Sequence, residues 1–302
     1  MSTSAHPTYP VFVMCGRDAK RRRLLEVIDP EGHYKSKALL PFMGKRLIDW
    51  QLEALAQSPY VAGLYLIGLT EADATFDMPV SYVPSETTAD FPDKLVAGLA
   101  YLNAVGQAPE MVVISSSDAP AIRVESINAF FEQLAAYAGH DFVLSLVPEQ
   151  AVTELFPRSG RVVARFRDCQ VFPGELYALS PRAIRIGQAV IHDLNRLRRK
   201  INRECQRISL GPMIRYIGRR PPTWLFIAKY LLRRATLRDA EKAFTAAFDC
   251  RTKGVIIRDA GFGMDIDLPE DYERLQVLVE RNLQAADASE AAENCPAAMV
   301  SE

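Results

Sequence analysis

Four short segments carry residue types suited to phosphate and divalent-metal chemistry. One is Lys37-Ala38-Leu39-Leu40-Pro41-Phe42-Met43-Gly44-Lys45. A lysine placed just ahead of an apolar stretch offers a compact positive charge, and that suits a phosphate. A second is Ser115-Ser116-Ser117-Asp118-Ala119-Pro120, at the end of the apolar run from Met111. An aspartate leaving a buried strand is placed to hold Mg²⁺, which takes one or two carboxylates plus substrate phosphates. A plain cap on the next helix or turn is the other reading of Asp118. A third is Gly263-Met264-Asp265-Ile266-Asp267-Leu268-Pro269-Glu270-Asp271. Pro269, Glu270 and Asp271 suit the first turn of a helix. Asp267 therefore reads as a cap or as a weaker metal ligand. Asp265 has no capping role and is the candidate second carboxylate. The fourth is Cys15-Gly16-Arg17. A glycine there lets a backbone N–H approach a phosphate, and Arg17, Arg21 to Arg23, Lys35 and Lys37 add positive charge. A solvated basic loop is the alternative.

In an open α/β sheet, ligands bind beyond the carboxyl ends of the strands. The elements needed to place these segments there are legible as pattern. Val11–Met14, Val61–Gly68, Val80–Val83, Met111–Ser115 and Phe142–Val147 are apolar runs that read as buried strands. Between them, helical spacing runs over Arg46–Ala56, Asp93–Ala104 and Val124–Ala138. Continuously apolar strands alternating with helices predict a three-layer α/β fold, a mostly parallel sheet with helices on both faces. The polar stretch from Arg17 to Lys37 is too long for a simple connector and reads as a functional loop. Beyond Pro157, two strands are expected at Val162–Phe166 and Val171–Leu179.

From Ser180 to Asp249 the signals are helical only. Leu194, Leu197 and Ile201 form one stripe, and Leu225 to Leu232 form another after the start signal Pro221-Pro222-Thr223. Thr236 reads as an N-cap for Leu237–Phe248, with Asp239 completing a capping box. Lys253–Ile257 returns to strand and Pro269–Leu283 is a last helix. The expected organisation is a loose tail at 1–10, one domain over 11–285 with a basic helical insert at about 180–250, and a disordered tail at 286–302.

Composition fits a globular chain: 302 residues, 49% hydrophobic and 24% charged, which argues against disordered and disulfide-stapled classes. The 36 basic and 37 acidic residues leave a formal charge of −1, so the whole chain offers no reason to expect nucleic acid as a partner. The average conceals a polarity. Ser180–Ala240 holds 15 Lys and Arg against Asp193, Glu204 and Asp239, a net of +12, which leaves −13 for the rest. Such a segment fits an anionic acceptor, peripheral contact with an anionic membrane through 180–240, self-association, or a solvated helix face. Cys15, Cys169, Cys205, Cys250 and Cys295 are widely spaced with no CxxC, as expected of reduced thiols in a cytoplasmic protein. Met1 to Pro10 lacks the apolar core of a signal peptide. The run Trp224–Leu232 falls far short of the ~20 residues a membrane span needs.

In their order along the chain, the four segments resemble the MobA-like nucleotidyltransferase family, built on the glycosyltransferase-A-like fold. The family's lysine motif K-x-L-x-P-x-x-G is matched by Lys37, Leu39, Pro41 and Gly44. Its Asp-x-Pro is matched by Asp118 and Pro120, and its closing D-[IV]-D-x-P-E-D by Asp265 to Asp271. The likeness spans roughly residues 11–285. The family's Gly-rich first loop is represented here by Met14-Cys15-Gly16-Arg17-Asp18, with one glycine in place of two or three. The resemblance implies a Mg²⁺-dependent enzyme that moves an NMP from an NTP onto a phosphorylated acceptor and releases pyrophosphate. It implies Asp118, Asp265 and, more weakly, Asp267 on Mg²⁺; Lys37 on the triphosphate; and Cys15, Gly16 and Arg17 at the phosphates. It also points to Ser85, Thr87 and Thr88 at the base, and to Gly174 and Glu175 at the acceptor. A nucleotide-sugar-dependent glycosyltransferase on the same fold, or a non-catalytic nucleotide-binding relative, are the alternative functions.

Overall fold

A computed structural model describes residues 6–16, 23–86, 90–154, 156, 163–190 and 220–293. The central strands are β1 (Tyr9–Met14), β4 (Val61–Ile67) and β6 (Val112–Ser115), which pair in parallel as β4-β1-β6. β5 (Ser81–Val83) extends the sheet beyond β4, also in parallel. Beyond β6 come β9 (Gln170–Leu179), antiparallel to both neighbours, then β7 (Phe142–Pro148) and the edge strand β10 (Thr252–Ile256). β8 (Ala164–Arg165) pairs with β9, completing eight strands.

Successive residues of β1 split between two cores because side chains alternate across a strand. Val11 and Val13 join the larger core, which takes in α2 (Leu47–Ala56), α4 (Val124–Ala136) and Leu275, Leu278 and Val279 of the last helix. Phe12 joins the smaller core with Leu95, Leu99 and Leu102 of α3 (Phe91–Ala104) and with Ile184. Helices therefore cover both faces, as the apolar strand runs predicted. Fully buried Phe12, Phe130, Phe131 and Phe262 each contribute roughly 2–3 kcal/mol of burial.

Most elements fall within a residue or two of the predicted bounds. The departures are instructive. β1 begins at Tyr9, inside the stretch read as a tail, because Tyr9 N–H donates to the Tyr60 carbonyl. The polar stretch 17–37 contains a helix, α1 (Arg23–Ile28), anchored by buried Leu24 and Leu25. A further short helix, α5 (Glu149–Thr153), follows β7. The segment after Ser180 is helical where described: α6 over 181–190, α7 (Pro221–Leu231) and α8 (Leu237–Phe248). The Leu194, Leu197, Ile201 stripe and residue Val162 lie outside the described residues. The last helix, α9 (Pro269–Glu293), runs on past the expected end at Leu283 and into the stretch 286–302 read as a disordered tail. Ala- and Glu-rich sequence is good helix former, and it extends a helix already nucleated by packing. Among the described residues, Cys15, Cys169 and Cys250 are free thiols, and no helix is long and apolar enough to cross a membrane.

Candidate functional site

Parallel β1, β4, β5 and β6 open their carboxyl ends on one edge of the sheet, and Asp118 leaves β6 there. Buried Gln51 of α2 holds the turn: its amide Nε2 donates to Ser115 Oγ at 2.6 Å, and its Oε1 accepts from the Ala119 N–H at 3.2 Å. Ser117 Oγ donates to the Met14 carbonyl at 2.9 Å, tying the turn to the end of β1. The closing motif is then fastened to this turn by its backbone, since the Ile266 N–H donates to the Asp118 carbonyl at 3.0 Å. That bond brings Asp265 and Asp267 to the site although they lie far along the chain.

Glu175 arrives from the third side. Between the pairs Leu144↔Tyr177 and Leu146↔Pro173, β9 holds extra residues, so it bulges away from a regular ladder. A bulge re-aims a side chain, and here Glu175 joins Asp118 and Asp265, with one carboxylate oxygen from each lying within 4.8 Å of the others. Gly174 lies in the bulge. A Cβ there would come within 2.4 Å of Ser145 Oγ and 3.1 Å of the Phe262 ring. The missing side chain lets the strand pack closely at that point.

Lys37 enters from a short 3₁₀ helix, Lys37–Leu39, capped by Ser36, whose hydroxyl accepts from the Ala38 N–H and donates to the Gly16 carbonyl at 2.8 Å. Lys37 Nζ is paired with Asp118, lies 2.6 Å from Asp267 Oδ1 and donates to the Ile266 carbonyl at 3.4 Å. The rest of the lysine motif is scaffold. Leu39 is buried, the Pro41 carbonyl accepts from Tyr272 OH at 2.7 Å, and Gly44 turns the β2–β3 hairpin (Pro41–Phe42, Lys45–Arg46). Met43 and Gly44 have φ of 49° and 84°, the paired positive values of a tight two-residue turn.

Electrostatics set this site apart. Burial raises the Asp118 pKa most, Lys37 opposes that, and Asp265 and Asp267 add to the rise, so its carboxyl sits above the usual range. For Lys37, burial disfavours the charge, but Asp118 and then Asp267 outweigh it and its pKa is raised. Three carboxylates thus crowd together, with Lys37 paired to Asp118. A hard set of oxygen ligands suits Mg²⁺. Asp118, Glu175 and Asp265 offer three such oxygens, and a divalent cation there would offset the carboxylate repulsion that adds to the rise of Asp118. The donor set fits the ion.

Asp267 is half exposed and pairs with Lys37. At the start of the last helix, Asp271 accepts from the Leu268 N–H at 3.0 Å. Cys15 is fully buried, with its thiol on the Val13 carbonyl and its pKa pushed up by burial and then by Asp118. Its side chain packs in the core. Gly16 is exposed, with nothing within 4 Å of where a side chain would begin. Ser85 is half-buried beyond the end of β5, on the same edge of the sheet. Arg17, Thr87 and Thr88 lie outside the described residues.

Sequence reasoning did not find Gln51, although it sits four residues after Leu47 and four before Leu55 on the apolar stripe of α2, where a polar residue is out of place. Nor did it group Glu175 with Asp118 and Asp265, because a bulge has no signal in a single sequence.

No family model matches the chain, and no curated protein matches it. Solved structures do. A hypothetical transferase from Thermus thermophilus superposes with a TM-score of 0.67 at 21% identity, covering 88% of this chain and 99% of that one. A CMP:2-keto-3-deoxy-manno-octonic acid synthetase, solved with CTP, gives 0.54 at 12% identity, covering 91% and 100%. The likeness shows the fold: a mostly parallel α/β sheet covered by helices on both faces. At these identities the likeness speaks for the architecture, and the strand order with antiparallel β9 between β6 and β7 is that architecture here.

Proposed function

We propose that this chain is a nucleotidyltransferase that moves an NMP from an NTP onto a phosphorylated small-molecule acceptor and releases pyrophosphate. The observation that carries this reading is the meeting of Lys37, Asp118, Asp265 and Glu175 at the carboxyl edge of the sheet, from four distant stretches of chain. An acceptor phosphate oxygen forms a bond to the α-phosphorus of the NTP as the bond to the β-phosphate's bridging oxygen breaks. The protein's work is to position and neutralise. Lys37, held charged by its acidic partners, turns from Asp267 to the triphosphate and to the charge growing on the leaving pyrophosphate. Gly16 leaves room for a phosphate at the end of β1. Asp118, Glu175 and Asp265 would hold the Mg²⁺. The ion supplies charge neutralisation on the phosphates when bound. Glu175 therefore moves from the acceptor to the metal in this reading, and the acceptor lies over the bulged start of β9.

A thermal-shift panel tests the binding half. One NTP with Mg²⁺ is expected to raise the melting temperature more than either alone. Stabilisation only by a nucleotide sugar would transfer the reading to glycosyl transfer. Pyrophosphate release across phosphorylated acceptors tests the chemistry, and NTP binding without release on a broad panel would overturn transfer and leave a nucleotide-binding protein.

A further inference from the structure

The helix α7 is apolar on both sides. Its inward side packs through buried Thr223, through Phe226 and Ile227, and through Tyr230, whose ring meets Phe166 at 6.2 Å. Its outward side carries Pro221, Trp224, Leu225, Ala228, Leu231 and Leu232, at the spacing of one helical stripe, and all six are exposed. The leucines are the extreme cases: Leu225 is 58% exposed, Leu231 78% and Leu232 68%. A contiguous exposed apolar stripe marks an interaction surface rather than ordinary scatter.

Charge indicates what covers it. Exposed Arg220 precedes the stripe, and exposed Arg233 and Arg234 follow it. Over 220–240 there are five basic residues (with Lys229 and Arg238) and one acid, Asp239, which is already paired with Lys229 at 2.7 Å. A second copy docked stripe to stripe would bring like charges together, which disfavours it. An apolar strip bordered by arginines fits the boundary between lipid headgroups and acyl chains. The chain is firmly seated beneath α7, since Glu241 of α8 accepts from Lys253 Nζ at 2.9 Å and from the Gly254 N–H at 3.0 Å on β10.

We propose that the outward stripe of α7 seats the protein peripherally on an anionic membrane surface, with Leu225, Leu231 and Leu232 in the interface and Arg220, Arg233 and Arg234 against lipid phosphates. This seating does not rest on nucleotidyl transfer, so vesicle binding and pyrophosphate release can fail separately.

The test is co-sedimentation of the full chain with mixed phosphatidylcholine/phosphatidylglycerol vesicles, against pure phosphatidylcholine, at low and high salt. Binding is expected on the anionic vesicles only, weakened by salt, with a blue shift in Trp224 emission that Trp224→Phe removes. Arg233→Gln with Arg234→Gln should weaken binding tenfold or more. Leu225→Ser with Leu231→Ser and Leu232→Ser should abolish it while the melting temperature holds, because these side chains are exposed. No binding at low salt would overturn the proposal, as would equal binding to neutral vesicles. A lipid-free dimer dissolved by the triple-serine variant would assign the stripe to a second copy and overturn it too.

Discussion

Lys229 meets Asp239 at 2.7 Å, and Lys37 meets Asp118 and, at 2.6 Å, Asp267. Both are lysine–aspartate pairs, both lie near helix starts, and the two aspartates are perturbed in opposite directions. Asp239 is drawn well below the usual carboxylate range, first by Lys229 and then by hydrogen bonds from Thr236. It closes a capping box at the start of α8, with the Thr236 N–H donating at 3.0 Å and its own N–H donating back to Thr236 Oγ1. Every group there is satisfied locally. Asp118 is buried, shares its lysine with Asp267 and faces two other carboxylates, so its pKa is raised. A local motif completes itself. A site assembled from distant segments is left with crowded charge that invites a ligand.

If that contrast is right, the two regions respond differently to substitution. Asp118→Asn should cut Mg²⁺-dependent pyrophosphate release by on the order of 10³-fold while the folded circular dichroism signal persists. Near-normal turnover would remove Asp118 from the metal. Glu175→Gln should lower turnover at least tenfold by raising the Mg²⁺ concentration required; a rise confined to the acceptor KM would return Glu175 to the acceptor. Gln51→Leu strands the buried Ser115 hydroxyl and the Ala119 N–H, so it should cost ~1–3 kcal/mol in denaturant unfolding and lower kcat more than the KM for NTP. Unchanged kcat would limit Gln51 to stability. Thr236→Ala removes the cap of α8 and should cost ~1 kcal/mol with no change in turnover.

The smallest effect is on pH dependence. Because the folded pKa of Asp239 is depressed, its contribution to stability is present at neutral pH and is lost as pH falls below about 4. Asp239→Asn should flatten the acid limb of the stability curve. A variant that follows the original curve below pH 4 would show that the pair is not felt in folding.

The legibility of these features follows their range along the chain. The capping box at Thr236 was readable because its partners are three residues apart. The sheet was readable because burial on both faces forces continuous apolar runs, as in β6, where all four residues are buried. Lys37, Asp118 and Asp265 are nameable from their motifs as candidates for phosphate and metal chemistry, and the fold brings them together. The nearness of Glu175 to Asp118 and Asp265, and the brace from Gln51, are not legible in sequence, because both depend on what lies beside them in the fold. The helix runs past Leu283 as far as Glu293, because packing of Leu275, Leu278 and Val279 nucleates it and a composition that suits both solvent and helix lets it continue.

The sequence by itself determined the layered α/β architecture, the position of the strand ends and the residues able to carry phosphate and metal chemistry. Each of these is written in spacing within a short stretch. Tertiary structure decided which carboxylates share one place. The Ile266–Asp118 backbone bond, the bulge in β9 over Gly174 and the Gln51 brace each join residues far apart in sequence. It also decided that Cys15 turns inward and that the apolar stripe of α7 faces outward. Burial is a property of the assembled layers, and a linear pattern of apolar residues has a face but not yet a neighbour.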